Sequence, residues 1–163
     1  ASSPSRVVNV ASSVHQKVKI DLFDVHAPRH YSGFRAYSRS KLCNLLFTYE
    51  LARRLEGTGV TANALHPGLV ATNILTNNGI LGRFLNMLLG IRGISVEAGA
   101  LTSIYAASSP EMEGVSGKYL DKKKIVRSSA RSFDEAQAAA LWELSASLAG
   151  IPAEIVIPSP AAC

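Results

Sequence analysis

The sequence predicts an α/β fold on a parallel sheet, and three successive segments carry the prediction: a short β-branched run, a long amphipathic helix and a second short apolar run. Residues 6–11, RVVNVA, are apolar with one charge, as expected for a strand covered on both faces, and they end in Ser12 and Ser13. Residues 15–36 are polar and interrupted by Pro28 and Gly33, which reads as a loop or insertion. From about Ala36 to Glu56, Leu42, Leu45, Leu46, Tyr49, Ala52 and Leu55 recur at three- and four-residue spacing, so a helix is expected there, stopped by Gly57 and Gly59. Residues 60–65 form the second strand, ended by Pro67 and Gly68. Strand, helix and strand in this order make a βαβ unit.

Farther along, residues 80–90, ILGRFLNMLLG, are almost wholly apolar but too short to cross a bilayer. Residues 96–107 are helix-like behind Ser95 as N-cap, and residues 117–120 suit a third strand. Ser132 and Glu135 match a capping box for a last helix with Leu141, Leu144 and Leu148 facing inward, and Gly150 and Pro152 end it. The expected organisation is one domain over residues 1–150 and a flexible tail over 151–163.

Composition narrows the class. The chain has 163 residues, 47% hydrophobic and 18% charged, enough apolar content for an ordinary core and inconsistent with disorder, collagen-like repeats or a charged helical rod. Cys43 and Cys163 are too few for a disulfide framework, a CxxC pair or a zinc cluster, so no metal site is expected and a reducing compartment is compatible. The net charge is +5, but the cations are scattered except at Lys122, Lys123 and Lys124, which read as a solvated turn; no nucleic-acid partner is expected. The opening residues are small and polar, with neither an initiator Met nor a signal-peptide core, so the chain is expected to begin inside something longer.

The chemistry concentrates on the long helix. Tyr37 and Lys41 lie four residues apart, on one face a turn apart. An ammonium beside a phenol favours phenolate, which makes Tyr37 a usable general acid/base. The spacing alone is weak evidence, because Tyr119 and Lys123 share it at a strand end, where it does not align side chains. Context separates the two pairs: Ser12 ends the first strand and Pro67-Gly68 ends the second on the same edge, where open α/β sheets bind ligands. A hydrolase triad of Ser12 or Ser13 with His15 and Asp21 lacks GxSxG. His66 reads as a packing or capping residue rather than a metal ligand, since no second ligand has suitable spacing, and Asn44 as one facing solvent or a neighbour rather than a catalytic residue.

VNVAS, YSRSK and NALHPGLVAT together resemble the second half of a short-chain dehydrogenase/reductase, and SKLCNLLFTYELARRLEGTGVTANALHPG with TSIYAASSPEMEGVSGKYL resemble its retinol dehydrogenase-like branch, over residues 6–150 or so. The resemblance implies a Rossmann-like doubly wound parallel sheet. It assigns Ser12, three residues after Asn9, to the substrate oxygen in preference to Ser13, Tyr37 to the hydroxyl proton, and Lys41 to the nicotinamide ribose and the support of Tyr37. It places Pro67, Gly68 and Val70 along the nicotinamide and Thr72 at its carboxamide. The implied cofactor is NADP, with NAD left open, and the implied partner is a lipophilic alcohol or carbonyl compound. Residues 80–90 fall where this family carries its variable substrate loop, so a greasy lid, a membrane-surface contact and plain core are all open there; homo-oligomerisation is also open.

The same resemblance implies a glycine-rich turn and an adenosine site, and the twelve glycines contain no GxxxGxG cluster. The N-terminal cofactor-binding strands and the family's catalytic Asn are therefore expected to lie outside this chain. Two functions follow: the catalytic part of an alcohol or carbonyl oxidoreductase, or an inactive truncated chain acting at most as an interaction module through an exposed sheet edge.

Overall fold

Side-chain alternation along the strands sets the layering of this chain. The computed structural model describes residues 4–22, 31–69 and 93–155. Its strands are β1 (Ser5–Val10), β2 (Val60–His66), β3 (Tyr119–Asp121) and β4 (Lys124–Val126), and its helices are α1 (Gly33–Arg54), α2 (Val96–Ser108) and α3 (Glu135–Ala149). Among the described residues the sheet order is β1-β2-β3-β4, with β1–β2 and β2–β3 parallel and β3–β4 antiparallel. Neighbouring strand residues point to opposite faces. Ala64 and Tyr119 accordingly pack with Leu45 of α1, while Leu65 and Leu120 pack with Ala106 of α2 on the other side. Helices thus cover both faces, the α/β architecture expected from the sequence.

A second helix layer lies outside α1. Leu42 and Leu46 of α1 pack against Ala138 and Leu141 of α3. Glu50, buried in the penultimate turn of α1, pairs with Arg53 and with Arg54, whose Nε lies 2.6 Å from the carboxylate. Arg54 also lies over the Trp142 ring at 4.7 Å, and both side chains donate to the Ala153 carbonyl, Arg54 at 3.1 Å and Trp142 at 2.7 Å. One buried carboxylate and its two arginines thereby tie the end of α1 to α3 and to the chain beyond it.

Several boundaries differ from the sequence expectation. Helix α1 begins at Gly33 rather than near Ala36; its first-turn N–H groups lack intrahelical partners in any case, so a glycine costs less there than in mid-helix. The N-cap of α3 is Asp134, which accepts from the Gln137 N–H at 2.9 Å, not Ser132. Ser132 is buried in a 3₁₀ turn and donates to the Ser129 carbonyl at 2.7 Å. Leu148 is 65% exposed rather than inward, and Ala138, Leu141 and Ala146 are the buried residues of α3.

The β3–β4 hairpin replaces what read as a simple turn. Lys122 and Lys123 sit at φ 50° and 63°, the left-handed pair that a tight hairpin turn requires. The Asn-Gly or Asp-Gly signal that normally announces such a turn is absent. No described helix is long and apolar enough to cross a membrane. The apolar stretch 80–90 lies outside the described residues.

Candidate active site

The parallel β1–β2 register, from Ser5 opposite Val60 to Val10 opposite Leu65, brings both strand ends to one edge. Beyond β1 the Ala11 N–H still donates to the Leu65 carbonyl at 2.8 Å. Ala11 is buried with Leu45 and Ala64, so Ser12 is the first polar side chain past the strand, in extended backbone and 7% exposed.

Helix α1 brings Lys41 to this edge. Its Nζ donates to the Val10 carbonyl at 3.1 Å and lies 5.5 Å from the centroid of the Tyr37 ring. Tyr37 is 42% exposed, so its phenol is reachable from solvent. Asn44, one turn on, donates to the same Val10 carbonyl at 3.1 Å. No sequence pattern signals this contact, which depends on where the helix crosses the strand end. Of the predicted site residues, the structure therefore brings Tyr37 and Lys41 beside the strand end that carries Ser12.

On β2 the chain leaves the sheet through Pro67 and Gly68. Gly68 has φ 89°, and a Cβ there would lie 2.7 Å from the Ile94 side chain, so glycine suits the position both sterically and conformationally. Val70 and Thr72 lie outside the described residues. At the same rim the Ser13 hydroxyl is 3.5 Å from His66 Nε2, while His66 Nδ1 is buried without a partner. Burial lowers the His66 pKa, opposed by the charge of Asp121.

His15 settles which histidine chemistry is available. It is fully buried rather than a loop residue. Its Nδ1 is 2.6 Å from the Ser12 carbonyl, which can only accept, and its Nε2 accepts from the Ser129 N–H at 3.1 Å. This arrangement requires the neutral tautomer protonated at Nδ1. Both nitrogens face backbone, so His15 cannot serve as base to Ser12 or Ser13, and its structural effect is to hold the backbone at Ser12.

Burial pulls the His15 pKa below its ordinary value of about 6.5, against the opposing Ser12 bond and with a smaller contribution from the charge of His66. The unfolded chain takes up these protons first. Stability from neutral His15 and His66 is therefore complete above about pH 6.5 and is lost as pH falls from there towards the lowered folded values. Urea midpoints are expected to decline from pH 7 to pH 5, with a smaller decline in His15→Gln. Equal declines in both proteins would remove His15 from the account.

The second Tyr/Lys pair is not arranged as a site. Tyr119 is buried, its hydroxyl has no partner, and burial, then the charge of Asp121, drives its pKa upward, away from ionisation. Lys123 stands in the hairpin turn. The spacing of these two residues creates no site.

A cavity of about 570 Å³ opens at the opposite edge of the sheet, with Tyr49, Arg53, Thr61, Phe133 and Asp134 in its wall. None of the candidate residues lines it. The chemistry at the β1 end, rather than cavity size, identifies the candidate site. Among the described residues no cluster of three or more His, Cys, Asp or Glu side chains could hold a metal ion.

No family model matches the chain. It is 42% identical over 161 residues to human retinol dehydrogenase 14, covering 93% of this chain and 46% of that protein. It is 42% identical to human retinol dehydrogenase 13, covering 98% and 50% respectively, and 43% identical to mouse retinol dehydrogenase 12, covering 92% and 47%. The crystal structure of an uncharacterised protein from Mycobacterium paratuberculosis superposes with a TM-score of 0.69 at 35% identity, over 93% of this chain and 52% of that one. The chain spans about half the length of these relatives.

Proposed function

We propose that this chain, a homologue of the retinol dehydrogenases over more than nine tenths of its length, is the catalytic part of an NADP-dependent short-chain dehydrogenase/reductase that interconverts a lipophilic, retinoid-like alcohol and its carbonyl form. The observation that carries the reading is the convergence of Lys41 and Tyr37 of α1 on the β1 end, two residues before Ser12.

The donor set suits the nicotinamide end of a dinucleotide. A lysine ammonium has three N–H donors, and that of Lys41, which rests on the Val10 carbonyl, can turn them towards ribose hydroxyls. Gly68 offers backbone with no side chain beside Ile94, and Val70 and Thr72 are assigned to the nicotinamide and its carboxamide. A bound nicotinamide supplies or accepts the hydride. In reduction, the Tyr37 hydroxyl gives its proton to the carbonyl oxygen while Ser12 donates a hydrogen bond to that oxygen; in oxidation the proton returns to Tyr37. Lys41 favours the phenolate left behind. His15 holds the Ser12 carbonyl and so steadies the serine backbone. The substrate class rests on the names of the relatives and on the apolar stretch 80–90.

The test is NADPH binding by fluorescence, followed by NADPH consumption with a lipophilic aldehyde. Consumption with a preference over NADH is expected. Absence of both a fluorescence change and a thermal shift would show that these 163 residues alone are not the enzyme, and would favour an interaction module working through the outer edge of β1, which pairs with no other described strand.

A further inference from the structure

We propose that Asn44 is a positioning residue for Lys41: by sharing the Val10 carbonyl, it lets the ammonium leave the strand for a ribose without stranding a backbone acceptor. The proposal rests on the function assigned above.

Lys41 and Asn44 are three residues apart on α1, so they are neighbours on its surface. Each donates to the Val10 oxygen at 3.1 Å, and a carbonyl has two lone pairs, so both bonds can be made together. The Asn44 bond belongs to a wider seam. The Thr48 hydroxyl, fully buried, donates to the Asn44 carbonyl at 2.6 Å and accepts from Asn9 Nδ2 at 2.9 Å. Two successive residues of β1, Asn9 and Val10, are therefore joined to one turn of α1 without help from the lysine.

Lys41 thus makes the dispensable half of a shared contact. Its stem is long and rotatable, whereas the asparagine is short and anchored in the seam. When Lys41 turns towards ribose hydroxyls, Asn44 still satisfies Val10. Without Asn44 the same movement would leave a strand-end acceptor unpaired, and that penalty would appear as weaker ribose binding. Charge adds to the asymmetry: the lysine–carbonyl bond is charge-assisted, so a lysine that is the sole donor to Val10 is held more firmly away from the cofactor.

The experiment uses the full chain and nicotinamide mononucleotide, which carries the relevant ribose without the adenosine half. The Val10 carbonyl ¹³C resonance is followed by NMR during titration. In the wild type it is expected to move as Lys41 departs, and Lys41→Met should start near the saturated position and show no response. Asn44→Leu should weaken mononucleotide binding by about tenfold, the worth of one hydrogen bond, and Asn44→Gln, which keeps the amide donor, should recover most of it. A role in packing alone would not separate Leu from Gln in this way. Wild-type affinity in a folded Asn44→Leu protein overturns the proposal. If that variant does not fold, a Val10 resonance that in free Lys41→Met coincides with that of the free wild type overturns it instead. No response of the wild type to the mononucleotide overturns the assigned function as well, whereas binding that is indifferent to Asn44 overturns this inference alone.

Discussion

Replacing Tyr37 by phenylalanine is expected to lower turnover by about 10²- to 10⁴-fold, the usual worth of a positioned general acid/base, while leaving dinucleotide affinity within about twofold. The substitution removes one oxygen from a residue that is 42% exposed, so little packing is lost. Lys41 is untouched by the substitution, so its ammonium remains available to a ribose. The effect should therefore fall on kcat rather than on cofactor binding. The measurement is steady-state turnover with a lipophilic aldehyde and NADPH, alongside NADPH affinity from fluorescence. Turnover within tenfold of wild type would remove the proton-transfer role from Tyr37. A matched Tyr119→Phe protein, altered at the buried tyrosine of the other pair with the same spacing, should keep its chemistry.

A large loss of stability from a single side chain is expected at Leu45. It is fully buried among Ala11, Ala64 and Tyr119, where α1 meets the sheet. Leu45→Ala removes apolar contact and opens space beside small residues and a ring, neither of which collapses readily, so a loss of about 2–5 kcal/mol is expected. Against a typical total of about 5–15 kcal/mol, that is a substantial fraction. The urea midpoint should fall with an unchanged slope. Leu148→Ala, at a side chain 65% exposed, should change stability by less than about 0.5 kcal/mol. Comparable losses from the two variants would contradict the assignment of the core.

The parts of this protein set by local pattern were readable in the sequence. Residues 6–11 and 60–65 are β-branched or apolar runs bounded by Ser and by Pro-Gly, and they became β1 and β2. The leucines of α1 became its buried stripe. What escaped depends on distant partners. Ser132 and Asp134 are both good N-caps, and only the burial of Ser132 beside Ser128 and Ser129 decides between them. The turn at Lys122 and Lys123 adopts a backbone that neither residue favours, so strand pairing must impose it. At the site, Tyr37 and Lys41 were legible because helical spacing places them. The sharing of Val10 by Lys41 and Asn44 was not, because it depends on where the helix crosses the strand end. His15 looked like a loop residue because its hydrogen-bond partner at Ser129 is 114 positions away.

That separation has a consequence for the order of folding. The strand–helix–strand unit can assemble from near neighbours, but the His15–Ser129 bond closes only when residues 128–133 have docked, after a large loss of chain entropy. The backbone at Ser12 should therefore reach its final geometry late, after the sheet beneath it has formed. In kinetic terms, conservative changes at His15 should speed unfolding and leave the refolding rate nearly untouched, with φ-values near zero, whereas changes at Leu45 should slow refolding. A high φ-value at His15 in stopped-flow refolding would reverse that order.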